Sequence, residues 1–297
     1  MAPEAFFLPA ESGQRLCLFH AARAARALGA VLYVHPFAEE MNKSRRMAAL
    51  QARAMADAGY AVLQIDLLGC GDSSGDFGDA SWNAWVDDIL LACRWLRHHA
   101  PAPLWLWGLR AGCLLVAEAA RRLDAPCRLL FWQPATNGNL VLQQVLRLKL
   151  AGNLLEGHAK GTLDALRKDL ADGRCIEVAG YALSSALAQG LEHATLAPPA
   201  QAMSLAWLEL SPREDAVLSA AAIAGKALWE QTGCNVRCEV VRGPAFWQTT
   251  EIEEAPALAR ATLVALAEPV AAVSTAWPPE GAHSRLAGPH EVRRVPR

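Results

Sequence analysis

The sequence predicts an α/β protein with a mostly parallel central sheet and helices on both faces of that sheet. Short, continuously apolar runs alternate with longer amphipathic stretches, as expected when buried parallel strands are joined by crossover helices. The segment "LWLWGLRAGCLL" shows this most clearly, because a buried strand passes through a glycine-bounded turn directly into a helix.

The composition is that of a globular protein with a large core. The chain has 297 residues, of which 53% are hydrophobic and 20% charged. Its formal charge of -2 does not indicate binding to nucleic acid or to a charged membrane surface. The eight cysteines include no C-x-x-C pair and have no histidine beside them at zinc spacing, so we expect no metal and no disulfide framework. We also expect no cofactor. We expect a cytoplasmic protein without membrane insertion, because the first residues lack a basic region and no apolar run is long enough to span a bilayer.

In chain order, the sequence predicts an edge hairpin followed by alternating strands and helices. The runs "EAFFLP" and "RLCLFHA" flank the turn "AESG" and favour an antiparallel pair. The helix that follows the next strand ends at Gly59, and a later helix begins after the capping residue Ser81. The remaining predicted strands of this part are "AVLYVHPF", "AVLQIDLL", "PLWLWG" and "CRLLFWQP".

The alternation stops near residue 135, which indicates an insertion. We predict a core segment over 1–134, a helical cap over 135–200 and a second core segment over 201–267. The remaining residues, 268–297, are predicted to form a disordered tail because prolines stand among Gly, Ser, His and Arg.

Four blocks of sequence carry a resemblance to a known family: "YVHPFAEEMNKSRRM", "DLLGCGDSSGDF", "WGLRAG" and "GPAFWQTTEIEEAP". Over residues 5–267, the chain resembles the α/β-hydrolase superfamily. More narrowly, it resembles the exosortase A system-associated hydrolase, ortholog 2. That resemblance implies a bacterial PEP-CTERM sorting and exopolysaccharide context and a companion hydrolase, but a fold does not by itself fix a reaction.

The serine-hydrolase triad that the superfamily implies is incomplete. The spacing Gly108-Leu109-Arg110-Ala111-Gly112 matches the G-x-S-x-G elbow, but Arg110 stands in place of the serine. A guanidinium stays protonated and cannot attack a carbonyl. After the last strand, Phe246 and Trp247 stand near the place of the histidine. At the position of the triad acid, the sequence offers Asp215.

The elbow still has the features of an anion site. The N–H of Ala111 lies at the start of a helix, where unsatisfied amides and the helix dipole favour negative charge, and Phe37 is the candidate for a second amide donor. Arg110 would then hold a carboxylate or phosphate by paired hydrogen bonds. Alternatively, Arg110 pairs with a carboxylate of its own chain, for which the candidates are Glu39, Glu40, Asp215 and Glu251.

His35 also has two interpretations, because it ends a buried strand. It is either a structural histidine bonded to the backbone or part of the ligand site.

Three function classes remain open. The first is a protein that binds an anionic or carbohydrate-linked small molecule and has lost the triad. The second is an active hydrolase or acyl transferase with a displaced nucleophile, and the third is a non-catalytic partner of a companion hydrolase. The candidates for a displaced nucleophile are Ser73, Ser74, Cys113, Ser184 and Ser185.

Overall fold

The computed structural model describes residues 2–155, 161–267 and 293–294. Its strands, in chain order, are β1 Glu4–Pro9, β2 Gln14–His20, β3 Ala30–Val34, β4 Ala61–Ile65, β5 Leu104–Leu109, β6 Cys127–Trp132, β7 Ile176–Val178, β8 Tyr181–Leu183, β9 Ala202–Ser211, β10 Asn235–Arg242 and β11 Arg293–Arg294. Its α-helices are α1 Glu39–Asp57, α2 Trp82–His99, α3 Gly112–Arg121, α4 Gly138–Leu155, α5 Leu163–Ala171, α6 Ser185–His193, α7 Ala220–Glu230 and α8 Pro256–Ala267.

The central sheet has the strand order β10-β9-β6-β5-β3-β4-β2-β1-β11. The strands from β10 to β4 pair in parallel, and β2, β1 and β11 continue the sheet in antiparallel pairing. This arrangement confirms the predicted parallel sheet with an edge hairpin. Because the carboxyl ends of β3 and β5 lie side by side, the loops that follow them open at the same edge.

Helices cover both faces of the sheet, as predicted. On one face, Met47 and Met55 of α1 pack in one core with Leu258 of α8. On the other face, Trp85 of α2 and Trp229 of α7 belong to a second core. Two separate cores on one sheet explain why its central strands are apolar on both sides and show no alternation in the sequence.

The segment between β6 and β9 contains α4, α5, the β7-β8 hairpin and α6. The hairpin is a feature that the sequence only hinted at, since each strand has three residues and the turn lies at Ala179 and Gly180. Helix α6 lies so close to α2 that a Cβ at Gly190 would stand 2.1 Å from the Cβ of Trp82. The boundaries of the core and cap segments stay predictions.

The predicted disordered tail, 268–297, lies outside the described residues apart from two of them. Arg294 and Arg293 pair with Phe6 and Phe7 of β1.

Candidate functional site

Arg110 occupies a strained turn between β5 and α3. Its φ angle is +55°, in the left-handed region that is costly for a residue with a side chain. Both backbone polar groups of Arg110 are hydrogen-bonded. The N–H of Arg110 donates to the carbonyl of Trp132, and the carbonyl of Arg110 accepts from the N–H of Ala135. These hydrogen bonds hold the backbone of the turn that carries the Arg110 side chain.

The two elbow glycines allow close packing because they have no side chain. A Cβ at Gly108 would lie 2.7 Å from the Cα of Cys113, and a Cβ at Gly112 would lie 2.6 Å from the carbonyl oxygens of Val34 and His35. Backbone atoms cannot move aside cheaply, so neither position tolerates a side chain. These glycines serve the strand-turn-helix geometry whichever residue stands between them.

The guanidinium of Arg110 has two partners. Its Nε donates to Oε1 of Glu40 at 3.3 Å, and its Cζ lies 5.5 Å from the centre of the Trp247 ring. Of the four carboxylates that the sequence offered, Glu40 is the one that forms the ion pair. The pair is partly open to solvent, with 16% of the Arg110 side chain and 26% of the Glu40 side chain exposed.

A cavity of about 150 Å³ opens in front of the elbow. The loop after β3, the start of α1 and the elbow form one part of its lining, while α4 and the β7-β8 hairpin form another. The lining residues are Phe37, Ala38, Glu39, Glu40, Phe77, Arg110, Ala111, Val141, Gln144, Val145, Leu148, Val178, Ala179, Tyr181 and Leu183. This lining contains no serine, cysteine or histidine among the residues that the structure describes.

Backbone strain is concentrated around this cavity. Within the described chain, four non-glycine residues have a positive φ, and three of them, Ala38, Arg110 and Ala179, line the cavity. Each such residue costs of order 1–3 kcal/mol and persists only where the surrounding structure enforces it. Such clustering is typical of a functional site.

Two backbone amides of the cavity wall are free to donate. Phe37 follows β3 and Ala111 follows Arg110, which are the two places where hydrolases of this architecture keep their oxyanion donors. Neither N–H donates to an acceptor within the described residues. Together with the start of α3, they favour a negatively charged atom beside Arg110.

His35 lies outside the cavity lining and is bonded on both sides of its ring. Its Nδ1 lies 2.9 Å from the carbonyl of Pro36, and its Nε2 lies 3.4 Å from the N–H of Leu67. A carbonyl accepts and an N–H donates, so the imidazole is neutral with its proton on Nδ1. Burial lowers the pKa of His35, which also favours the neutral imidazole. These bonds leave no ring nitrogen for a ligand.

Asp215 does not reach the elbow. Its side chain is exposed and pairs with Arg213 at 3.1 Å, and it is absent from the cavity lining. The buried carboxylate of this region is Glu209, which accepts from the backbone N–H of Ser219 at 2.9 Å and from its hydroxyl at 2.6 Å. Glu209 thereby holds the start of α7 and is equally absent from the cavity.

None of the candidates for a displaced nucleophile lines the cavity. The hydroxyl of Ser73 donates to the carbonyl of Asp66 at 2.6 Å, and burial raises the pKa of Cys113 well above its ordinary value. The other three hydroxyls are also bonded to backbone groups: Ser74, Ser184 and Ser185. Their hydrogen bonds account for these serines as structural residues.

No pattern in the sequence indicated that α4 and the β7-β8 hairpin contribute to this site. Gln144 and Tyr181 supply polar atoms to the lining, and the Tyr181 hydroxyl accepts from Asn42 at 3.1 Å. Trp247, which the sequence analysis placed near the expected histidine, contacts Arg110 directly.

Within residues 2–155 and 161–267, no group of three or more His, Cys, Asp or Glu side chains is arranged to hold a metal ion. In the same residues, no helix combines the length and the apolar character that crossing a bilayer requires.

Comparison with known sequences finds similarity over slightly less than half of the chain. The family described as Serine aminopeptidase, S33 matches residues 25–170. The human protein ABHD12B is 28% identical over 144 residues, which are 47% of this chain and 38% of that protein. The match thus spans well under half the length of this human relative.

Comparison with solved structures extends the similarity over most of the chain. Est1E from Butyrivibrio proteoclasticus, in a structure with ferulic acid bound, is 15% identical with a TM-score of 0.64, covering 88% of this chain and 96% of that one. A thermostable carboxyl esterase from Bacillus coagulans is 15% identical with a TM-score of 0.57, over 82% and 91% of the two chains. XC6422 from Xanthomonas campestris, an a/b serine hydrolase without lid, is 16% identical with a TM-score of 0.52, over 90% and 92%. At these identities, the fold is what is shared.

Proposed function

The chain has the α/β-hydrolase fold, and we propose that it binds a small anionic molecule at the elbow without cleaving it. One observation carries the proposal: the cavity in front of the elbow is lined by Arg110 and two free backbone amides, and by no serine, cysteine or histidine of the described chain. Acyl transfer needs a nucleophile and a base at one place. Binding of an anion needs only the donors that are present.

The Glu40 contact supports an exchangeable anion site. It is a single hydrogen bond of 3.3 Å from Nε, and the two terminal nitrogens of the guanidinium have no acceptor within the described residues. An ion pair that is partly exposed contributes little to stability, at about 0–1 kcal/mol. A ligand anion that accepts from the terminal nitrogens and from the amides of Phe37 and Ala111 would gain more bonds than it displaces.

Thermal unfolding with added anions tests this proposal. We expect acetate, compared with chloride at the same ionic strength, to raise the midpoint of the unmodified protein by mass action and to leave Arg110→Gln unmoved. The matched control is Arg213→Gln, which removes an exposed arginine paired with Asp215. It should respond to anions like the unmodified protein. An equal response in all three proteins would overturn the proposal.

The biological setting that we propose follows from the sequence resemblance. A member of the exosortase-associated group would bind an anionic or carbohydrate-linked intermediate in the cytoplasm. Its gene would lie near exopolysaccharide genes. Native mass spectrometry of protein purified from such a bacterium tests this, since a bound intermediate would appear as a defined added mass. Loss of that mass in Arg110→Gln would assign it to the elbow.

A further inference from the structure

Most of the cavity wall is apolar. Ten of the fifteen lining residues have apolar side chains, and aromatic or branched groups such as Phe77, Val145 and Leu183 stand on three different elements. Among the lining residues that the structure describes, the charged groups come from the elbow and the first turn of α1. A ligand that fills the cavity must therefore bury an apolar body as well as a charge.

The balance of charge limits the ligand to a single negative charge. Arg110 is the only cation in the lining formed by the described residues, and Glu39 and Glu40 stand beside it. A phosphate monoester carries about two negative charges at neutral pH and would meet these carboxylates with one guanidinium to offset them. A monocarboxylate matches the one cation.

The apolar wall also disfavours a sugar as the buried part. Beyond the charged residues, the described part of the lining offers only the amide of Gln144 and the hydroxyl of Tyr181 as polar side-chain groups. A sugar buried against Val and Phe side chains would lose the hydrogen bonds that its hydroxyls make with water. Without new hydrogen-bond partners, this desolvation costs free energy.

The volume sets the size of the body. An engineered apolar cavity of about 150 Å³ in another protein holds benzene, and this cavity has about the same volume. The fit is to a body of roughly four to eight carbon atoms, with room for more where the cavity opens to solvent.

We infer that the elbow cavity takes a monocarboxylate with a short apolar body, such as a medium-chain or aromatic acid. This inference rests on the proposed anion site. The carboxylate accepts from Arg110 and from the amides of Phe37 and Ala111, in the place where the Glu40 carboxylate now stands. The body packs against Phe77 and Val145, beside the β7-β8 hairpin.

Calorimetric titration of the full chain with a homologous series tests the inference. From acetate through butyrate to hexanoate, we expect the affinity to rise about fourfold for each added methylene until the cavity is full. Hexanol lacks the charge and hexyl phosphate carries too much, so both should bind at least about tenfold more weakly than hexanoate.

Two variants separate the charge from the apolar body. Arg110→Gln should lose binding of every carboxylate, including acetate. Val145→Phe fills the part of the cavity assigned to the apolar body, so the affinity should no longer rise from acetate to hexanoate. The matched control is Val264→Phe on the exposed face of α8, which should behave as the unmodified protein. A cooperative unfolding transition shows that each variant is folded.

The outcomes distinguish this inference from the proposed function. If acetate binds through Arg110 but affinity does not rise with chain length, the anion site stands and the apolar ligand is wrong. If hexyl phosphate binds more tightly than hexanoate, the monocarboxylate is likewise wrong. If hexanol binds as tightly as hexanoate and Arg110→Gln changes nothing, both the inference and the anion site fail.

Discussion

The guanidinium carbon of Arg110 lies 5.5 Å from the centre of the Trp247 ring, and this contact joins the two places where a serine hydrolase keeps its nucleophile and its base. Arg110 stands on the elbow after β5, and Trp247 stands in the loop after β10. A cation over an indole face is stabilised by about 0.5–2 kcal/mol, depending on how far it is desolvated. Under the proposed function, a cation and an aromatic ring stand where a serine hydrolase has its reacting pair.

Restoring the serine alone should not restore hydrolysis. In Arg110→Ser, the new hydroxyl would have no base, because both ring nitrogens of His35 are bonded to the backbone and the described residues that line the cavity include no histidine. We expect neither the unmodified protein nor Arg110→Ser to hydrolyse p-nitrophenyl acetate above the uncatalysed rate or to react with a fluorophosphonate probe.

Labelling of the unmodified protein would contradict this expectation, and mapping the label to Ser73, Ser74, Ser184 or Ser185 would identify a displaced nucleophile. Activity of Arg110→Ser that disappears on adding His35→Ala would show that His35 can leave its backbone bonds and act as a base.

The Arg110 and Glu40 side chains should be only weakly coupled. A fully buried pair that loses one partner costs about 3–5 kcal/mol, but this pair is partly exposed and joined by one hydrogen bond. We therefore expect a coupling of about 0.2–1 kcal/mol in the cycle of Arg110→Ala, Glu40→Ala and the double variant, measured by denaturant unfolding. A coupling several times larger would mean that Glu40 is the permanent partner of Arg110, and the exchangeable site would be wrong.

The Glu40 carboxyl should make stability depend on pH. Burial raises the pKa of Glu40 above its ordinary value of 4.5, although Arg110 acts in the opposite direction. Between these two pKa values the folded protein binds more protons than the unfolded chain, so the free energy of unfolding falls as the pH rises. The contribution is fully present below the ordinary pKa and is lost as the pH passes the raised one.

The measurement is the free energy of unfolding of the unmodified protein minus that of Glu40→Gln, from about pH 4 to about pH 8. Taking the difference removes other titrating groups, such as Asp88, whose pKa burial also raises. The difference should decrease with rising pH. A difference that is flat, or that increases, would contradict the raised pKa.

The sequence predicted the sheet well because its strands carry strong local signals. Each of the six residues of β5 is buried, so the strand reads as a continuous apolar run, and Ser81 caps α2 by accepting from Ala84 as its position indicated. The β7-β8 hairpin gave a weak signal because three-residue strands are too short to show alternation.

The site was only partly predictable. The spacing of the elbow glycines located Arg110, but four carboxylates were equally eligible as its partner, because sequence does not report which loops converge. Asp215 illustrates the limit, since its position after β9 matches the triad acid, yet it pairs with Arg213 two residues away and stays on the surface. Asp215 pairs with an arginine close to it in sequence, on the exposed surface, and not with a residue of the elbow.

The buried ion pair between Arg15 and Asp88 should be far more costly to break than the exposed pair between Arg122 and Asp87. Both side chains are at most 5% exposed, at 2.8 Å, and Asp88 also accepts from the N–H of Leu68. Asp88→Ala strands a buried guanidinium and should cost about 3–5 kcal/mol. The matched control is Asp87→Ala, whose carboxylate is exposed and pairs with Arg122 at 3.4 Å, and it should cost less than about 1 kcal/mol. Similar costs for the two variants, in denaturant unfolding, would mean that water reaches the buried pair.

The packing of the elbow gives the last prediction, because replacing glycine with alanine should have opposite signs at two helical positions. At Gly112 the helix would gain up to about 1 kcal/mol of intrinsic propensity. The new Cβ, however, would stand 2.6 Å from the backbone carbonyl oxygens of Val34, which ends β3, and of His35, and such overpacking costs about 1–3 kcal/mol or more. Sterics should win, so Gly112→Ala should be destabilised and should lose anion binding as α3 shifts away from Phe37. At Gly152 in α4, a Cβ would have no atom of the described residues within 4 Å, so Gly152→Ala should be stabilised by about 0.5–1 kcal/mol. If both substitutions stabilise the protein, α3 does not pack against β3 as closely as these distances state.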